Sequence, residues 1–261
     1  MITSLSNKKI KNLVSLIQKV KARKEQDVFI VEGSKMFLEA GEEKILEVYL
    51  KEGFLEKEEK GLLLEKLERT GYEVVSEEVF RKISDTMTPQ GILAVIRQYH
   101  YCPEELWKKE NPLLLILEDI QDPGNLGTMV RTAEGAGVNG IIMSKNTVDI
   151  YNPKTIRSTM GSVYRMPFYY SEDLQETIKM LQEQGICVYA AHLKGQQFYH
   201  KLDYRKGTAF LIGNEGNGLK EETAQLADCY MKIPMEGKVE SLNAAVASVI
   251  LMYEAARQRM E

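Results

Sequence analysis

Residues 113–136 read LLLILEDIQDPGNLGTMVRTAEGA, and this stretch decides the fold. Leu113 to Leu117 is an unbroken apolar run of strand length, the pattern of a strand buried on both faces. Asp122, Pro123 and Gly124 then make a turn, and a helical pattern runs from about Leu126 to Ala136, closed by Gly137. Asn125 stands where turn meets helix and reads as its N-cap. The same strand-helix alternation continues downstream. Gly140 to Met143 opens a strand, Ser171 is placed to cap a helix over Glu172 to Gln184, and Ile186 to Leu193 returns as a strand. Ala209 to Ile212 and Tyr230 to Ile233 read as the last strands, and Leu242 to Arg257 as a long terminal helix. Such alternation predicts a parallel sheet with helices on both faces.

Working back toward the N-terminus, the pattern is α/β again but on a smaller scale. Ile10, Leu13, Val14 and Ile17 follow helical spacing, Asp27 to Val31 reads as a strand, and Ser34 is placed to cap a helix through Met36 and Ala40. Ile45 to Leu50, Tyr72 to Val75 and Gly91 to Ile96 read as strands, with a helix over Glu56 to Arg69. The expected organisation is a small domain over residues 1–98, a linker over 99–111 carrying Pro103 and a packing anchor at Trp107, and a larger domain over 112–261.

Bulk composition narrows the function. With 44% hydrophobic and 28% charged residues, the chain of 261 residues has the make-up of a soluble globular protein. Ala244 to Tyr253, its longest near-apolar stretch, is too short to span a bilayer, and no apolar signal segment follows Met1. Cys102, Cys187 and Cys229 lack metal-ligand spacing and suit reduced cytosolic thiols, the three histidines are scattered, and no metal site is expected. A net charge of −4 argues mildly against a nucleic-acid partner. Residues 1–24 nevertheless carry Lys8, Lys9, Lys11, Lys19, Lys21, Arg23 and Lys24 with no acid, enough to neutralise phosphates locally. Charge alone fits a solvated helix face equally well.

Three segments that follow apolar runs carry the chemistry: Asp122 to Gly127 running on to Arg131, Gly213-Asn214-Glu215-Gly216-Asn217-Gly218, and Ile233-Pro234-Met235 followed by Glu240-Ser241-Leu242-Asn243. Loops at the carboxyl ends of parallel strands are where α/β folds bind ligands. Neither a dinucleotide fingerprint nor a phosphate-binding loop is present, and the acid in the glycine-rich segment repels phosphate. A phosphate-free ligand held largely by backbone groups fits better. On the small, apolar helix after Asn125, Arg131 needs water, an acid or a ligand, and spacing alone favours a salt bridge to Glu134 or Glu215.

Taken together and in this order, these segments, with Arg131-Thr132-Ala133 and Ala244-Ala245-Val246-Ala247, resemble the three motifs of the SpoU (TrmH) family, RNA ribose 2′-O-methyltransferases of the SPOUT superfamily. Residues 1–98, with Phe29-Ile30-Val31-Glu32-Gly33 after a basic helix, resemble that family's ribosomal-protein-like RNA-binding domain. The resemblance implies a C-terminal domain with a deep trefoil knot and S-adenosylmethionine as cofactor, held by the backbone of Gly213, Ile233 and Leu242 with Met235 and Ala191 nearby. It also implies a homodimer joined partly through the Leu242 to Arg257 helix, a cytoplasmic enzyme, and a substrate in RNA, foremost 23S ribosomal RNA. Arg131 is the implied catalytic residue, stabilising the ribose oxygen because a guanidinium stays protonated. Asn125 would position Arg131 or the ribose, Glu215 would orient Arg131 or the loop, and Ser241 and Asn243 would hydrogen-bond the hydroxyl or an adjacent phosphate. Lys8, Lys9, Lys11, Arg23 and Lys24 would contact RNA. Ala244-Ala245 departs from the bulkier or hydroxyl residues often found after the Ser-Leu-Asn core, which touches helix packing rather than chemistry. The competing readings are a non-catalytic RNA-binding or ribosome-assembly factor, and a methyltransferase of small molecules or proteins.

Overall fold

Apolar residues at helical spacing in the lysine-rich N-terminal segment form α1 (Lys8–Gln18), which buries Ile10, Leu13 and Leu16 and leaves most of its lysines in solvent. The computed structural model describes residues 1–57 and 61–260. The chain divides into two units, Met1–Tyr99 with Asp149–Tyr164, and His100–Val148 with Arg165–Glu261.

In the first unit α1 is followed by α2 (Val20–Gln26), β1 (Val28–Glu32), α3 (Ser34–Glu39), β2 (Ile45–Lys51), α4 (Leu62–Thr70), β3 (Glu73–Val75), α5 (Glu77–Ile83) and β4 (Ile92–Arg97). The strands form a sheet of order β1-β4-β2-β3, antiparallel except for the β2–β3 pair. Val28 and Ile30 of β1 face the helices α1 and α5, joining Leu13, Leu16, Phe80 and Ile83 in one core. Phe29, pointing the other way, stacks on Tyr151 with ring centroids 4.6 Å apart.

The second unit begins with α6 (Pro103–Leu106), β5 (Leu113–Leu117), α7 (Pro123–Gly135) and β6 (Gly140–Ser144). The chain then gives the first unit α8 (Pro153–Thr159) before continuing as β7 (Phe168–Ser171), α9 (Leu174–Glu183), β8 (Cys187–Ala191), β9 (Gln197–Phe198), β10 (Thr208–Ile212), α10 (Glu221–Ala224), β11 (Cys229–Lys232) and α11 (Ala244–Met260). Its sheet has the order β7-β6-β5-β10-β8-β11-β9, and every recorded pairing is parallel. Leu114, Ile116, Ala209 and Leu211 line one face against α9, while α7 and α11 pack together over the other side of β10 and β6.

Several expectations are corrected. The N-cap of α7 is Asp122, whose side chain accepts from the Asn125 backbone, because Pro123 already occupies the first turn. Asp173 rather than Ser171 caps α9; Ser171 is buried at the end of β7, hydrogen-bonded to Thr177. Gly33, not Ser34, stands at the N-cap of α3. A 3-10 turn at Leu55–Lys57 and then α4 stand where one helix was expected over 56–69, and residues 58–60 of that segment lie outside the described residues. Residues 100–111 belong to the second unit, and α6 within them buries Leu106 at 1% exposure.

Arg23, expected on an RNA-binding face, is itself only 1% exposed. Its Nε and Nη2 donate to Asp149 Oδ2 at 2.9 and 2.7 Å, and its Nη1 donates to the carbonyls of Leu16 and Ile17 at 2.7 and 3.1 Å. The guanidinium is therefore consumed inside the first unit, tying α1 to the 149–164 segment. Lys9 forms an ion pair with Glu73. Lys8, Lys11 and Lys24 are exposed, with no ion pair to a described residue. Among the described residues no helix is long and apolar enough to cross a membrane.

Candidate active site

Four strands that neighbour one another in the second sheet, β5, β10, β8 and β11, send their carboxyl-end loops to one place. A cavity of about 440 Å³ opens there, lined by Ala191, Gly213, Ile233, Met235, Ser241 and Leu242, with Glu215 at the glycine-rich loop. That volume falls within the range of small-molecule sites, roughly 300–1,000 Å³. The backbone groups of Gly213, Ile233 and Leu242 have no backbone partner among the described residues. Polar backbone groups left open along a partly apolar cleft suit a ligand carrying its own donors and acceptors.

The loop from β10 is a tight hairpin. Asn214 and Gly218 exchange backbone hydrogen bonds at 3.0 and 2.9 Å, while Asn214 Oδ1 accepts from Gly216 and Asn217. This brings the returning backbone so close that a Cβ on Gly213 would lie 2.3 Å from Gly218 C and Leu219 N. Backbone cannot swing aside as a side-chain tip can, so Gly213→Ala is expected to destabilise the protein by about 1–3 kcal/mol. A denaturant titration checks this; an unchanged midpoint would contradict the packing described.

Hydrogen bonds join the three segments. Glu215 accepts from the backbone of Gln121 and Asp122 and from Asn125 Nδ2, each at 3.0 Å. Asn243 Nδ2 donates to Asn125 Oδ1 at 3.1 Å, and Asn243 Oδ1 accepts from Ala245 and Val246, capping α11. Asn125 is thus the link between Glu215 and Asn243. Burial pushes the Glu215 carboxyl up, but the hydrogen bonds from Asn125, Gln121 and Asp122 outweigh it and hold the group below the usual carboxylate range. A lowered folded-state value means this stabilisation is complete above the ordinary carboxylate pKa and disappears as pH falls through the depressed one. Glu215→Gln is therefore expected to cost about 1 kcal/mol at neutral pH, after allowance for the loop's exposure, and progressively less in acid. Urea unfolding of both proteins from pH 7 to 3 measures the gap; a gap that widens in acid would contradict it.

Arg131 departs from the salt bridge expected of it. Glu134 is engaged by Arg165, and Glu215 by the 121–125 turn. Arg131 is exposed on α7, and neither an ion pair nor a hydrogen bond joins its guanidinium to a described residue. It does not line the cleft of its own chain, nor do Asn125 and Asn243.

Residues 112–253 match the sequence model of the SpoU rRNA Methylase family, and residues 7–94 match the MRM3-like substrate binding domain. The chain belongs to the SpoU rRNA methylase family. Among its relatives, the 23S rRNA (guanosine(2553)-2'-O)-methyltransferase RlmP of Bacillus subtilis is 34% identical over 254 residues, covering 97% of each chain. The 23S rRNA (guanosine-2'-O-)-methyltransferase RlmB of Shewanella oneidensis is 30% identical, covering 91% of this chain and 99% of its own. The solved AdoMet-bound rRNA methyltransferase from Sinorhizobium meliloti superposes with a TM-score of 0.85 at 33% identity, covering 98% of this chain and 97% of that one.

Within this SpoU site, sequence reasoning missed Asn214, which braces the glycine-rich loop, and the Glu118–Asp119 pair at the end of β5. An asparagine opening a glycine-rich loop was a legible turn signal. Glu118 and Asp119 gave no local signal, since their partners lie about a hundred residues away in the chain. Among the described residues, no cluster of His, Cys, Asp and Glu could hold a metal ion.

Proposed function

We propose that this protein transfers a methyl group from S-adenosylmethionine to a ribose 2′-hydroxyl of RNA, with 23S ribosomal RNA as substrate. The carrying observation is the cleft. Open backbone groups of Gly213, Ile233 and Leu242 and the apolar side chains of Met235 and Leu242 suit a phosphate-free nucleoside with an amino-acid arm, and Glu215 disfavours a phosphate. Relatives named for 23S rRNA 2′-O-methylation, aligned along nearly the whole chain, support the same choice.

When bound, the cofactor supplies an electrophilic sulfonium methyl group. The backbone at Gly213, Ile233 and Leu242 holds it, and Met235 and Ala191 shield it from water. Ser241, exposed at the cleft, hydrogen-bonds the ribose hydroxyl or its neighbouring phosphate. Arg131 stabilises the ribose oxygen as it loses its proton; a guanidinium stays charged, so its part is electrostatic rather than that of a base. Asn125, Asn243 and Glu215 hold the turn from which Arg131's helix starts. Arg131 lies outside its own chain's cleft lining, which favours a homodimer whose second copy completes the site. The trefoil knot and a cytoplasmic location belong to the same proposal.

Lys8, Lys11 and Lys24 form the RNA-contacting part of the N-terminal segment, without Arg23. Replacing all three by glutamine is expected to lower RNA affinity and flatten its dependence on salt. Filter binding across a salt series checks this, and an unchanged slope would remove these lysines from the interface. The reading as a whole is tested by methylating unmodified ribosomal RNA with labelled S-adenosylmethionine and digesting it to nucleosides. Label in a 2′-O-methylnucleoside is expected; label on a base would overturn it.

A further inference from the structure

β5 ends in two carboxylates that the reaction just described leaves unused. Glu118 is 3% exposed; its Oε1 accepts from Thr223 Oγ1 at 2.6 Å and its Oε2 from the Lys220 backbone at 2.8 Å. Asp119, in the left-handed region at φ 53°, pairs with Lys220 Nζ at 2.8 Å and accepts from Ser144 Oγ at 2.7 Å. Its carbonyl accepts from Asn214 Nδ2 at 2.8 Å. Both ends of the 214–220 loop, Asn214 at its start and Lys220 at its finish, are therefore tied to the same strand terminus. Neither Glu118, Asp119 nor Lys220 lines the cleft.

We infer that Glu118, together with the Asp119–Lys220 ion pair, is a positioning latch that presets the 213–220 loop for the cofactor. The inference rests on reading the cleft as an S-adenosylmethionine site. A buried carboxylate is costly unless its oxygens are met by donors, so Glu118 holds Thr223 and the Lys220 backbone in one arrangement. Asp119 keeps a backbone conformation that few residues tolerate, and that turn aims its carbonyl at Asn214 and its carboxylate at Lys220. A loop already held in place is not ordered at the ligand's expense, so the latch acts on affinity rather than on the chemical step.

The test uses the full chain with three variants. Glu118→Gln keeps the shape but sets an amide donor against one of two donors. Lys220→Met removes the exposed ion pair, and Lys220→Arg retains it, so the Lys220 pair carries the test if Glu118→Gln folds poorly. Calorimetry with S-adenosylhomocysteine is expected to show Kd raised about tenfold in Glu118→Gln and Lys220→Met and near wild type in Lys220→Arg. At saturating cofactor, kcat and the KM for RNA are expected to stay within about twofold of wild type. Backbone hydrogen exchange over 214–220 in the ligand-free protein is expected to quicken in the first two variants only. Quickened exchange with unchanged Kd, or a loss confined to kcat, would overturn the latch. If wild type itself binds no S-adenosyl nucleoside, the functional reading fails, and unaltered exchange in Glu118→Gln then overturns the latch separately.

Discussion

Arg131→Ala is expected to slow methyl transfer by about a hundred- to a thousand-fold while leaving cofactor affinity within about twofold, the range seen when one preorganised donor to a developing oxyanion is removed. Three observations support so specific an effect. Arg131 is exposed, its two expected acidic partners are occupied by Arg165 and by the 121–125 turn, and it is absent from the cleft lining. Its removal therefore leaves no buried acid unpaired and takes nothing from the cleft of its own chain. Arg131→Lys keeps the charge but loses the planar fork, so it should fall between wild type and alanine. Single-turnover methylation beside calorimetric cofactor binding measures both quantities. Full activity in Arg131→Ala would remove this residue from the reaction.

The second large effect concerns stability. Arg23→Met is expected to destabilise the first unit by about 3 kcal/mol, since it strands a largely buried carboxylate. Asp149 would lose both guanidinium hydrogen bonds, and the carbonyls of Leu16 and Ile17 would lose theirs. Pairing Arg23→Met with Asp149→Leu should recover much of the loss, because the cost lies mainly in the unpaired charge. Denaturant unfolding of wild type, both single variants and the double variant measures the coupling. Additive losses would show that the two groups do not act as a pair.

Arg23 also marks where sequence reading reaches its limit. Beside Lys24 it counted as one more cation in a basic segment, and nothing local distinguishes the two. The difference comes from Asp149, 126 positions away, on a segment that the chain lends to the first unit from the middle of the second. Period and punctuation carried the longer elements, while the short β7 and β9 went unread. Leu113 to Leu117 read as a doubly buried strand, and β5 spans those residues between β6 and β10 inside a parallel sheet. Caps were less legible, because Asp122 and Asn125, or Ser171 and Asp173, offer the same chemistry a few residues apart. α5 and α8 were missed, though Ser76 caps the one and Asn152 with Pro153 opens the other; both are only two turns long, too short for periodicity to register. For the site, the motif residues were visible in order, and what their order did not contain was the wiring. Asn125 binding both Glu215 and Asn243, and Glu118 holding the 220–223 turn, are contacts between distant segments.

Ribose methylation of large-subunit ribosomal RNA can be read off the RNA itself by mapping. Unmodified 23S rRNA is incubated with the protein and S-adenosylmethionine, then partially hydrolysed in alkali, which cannot cleave after a 2′-O-methylated ribose. One new gap in the ladder is expected, dependent on cofactor and lost with Arg131→Ala. A methylated product with an unbroken ladder would contradict it, placing the methyl group on a base.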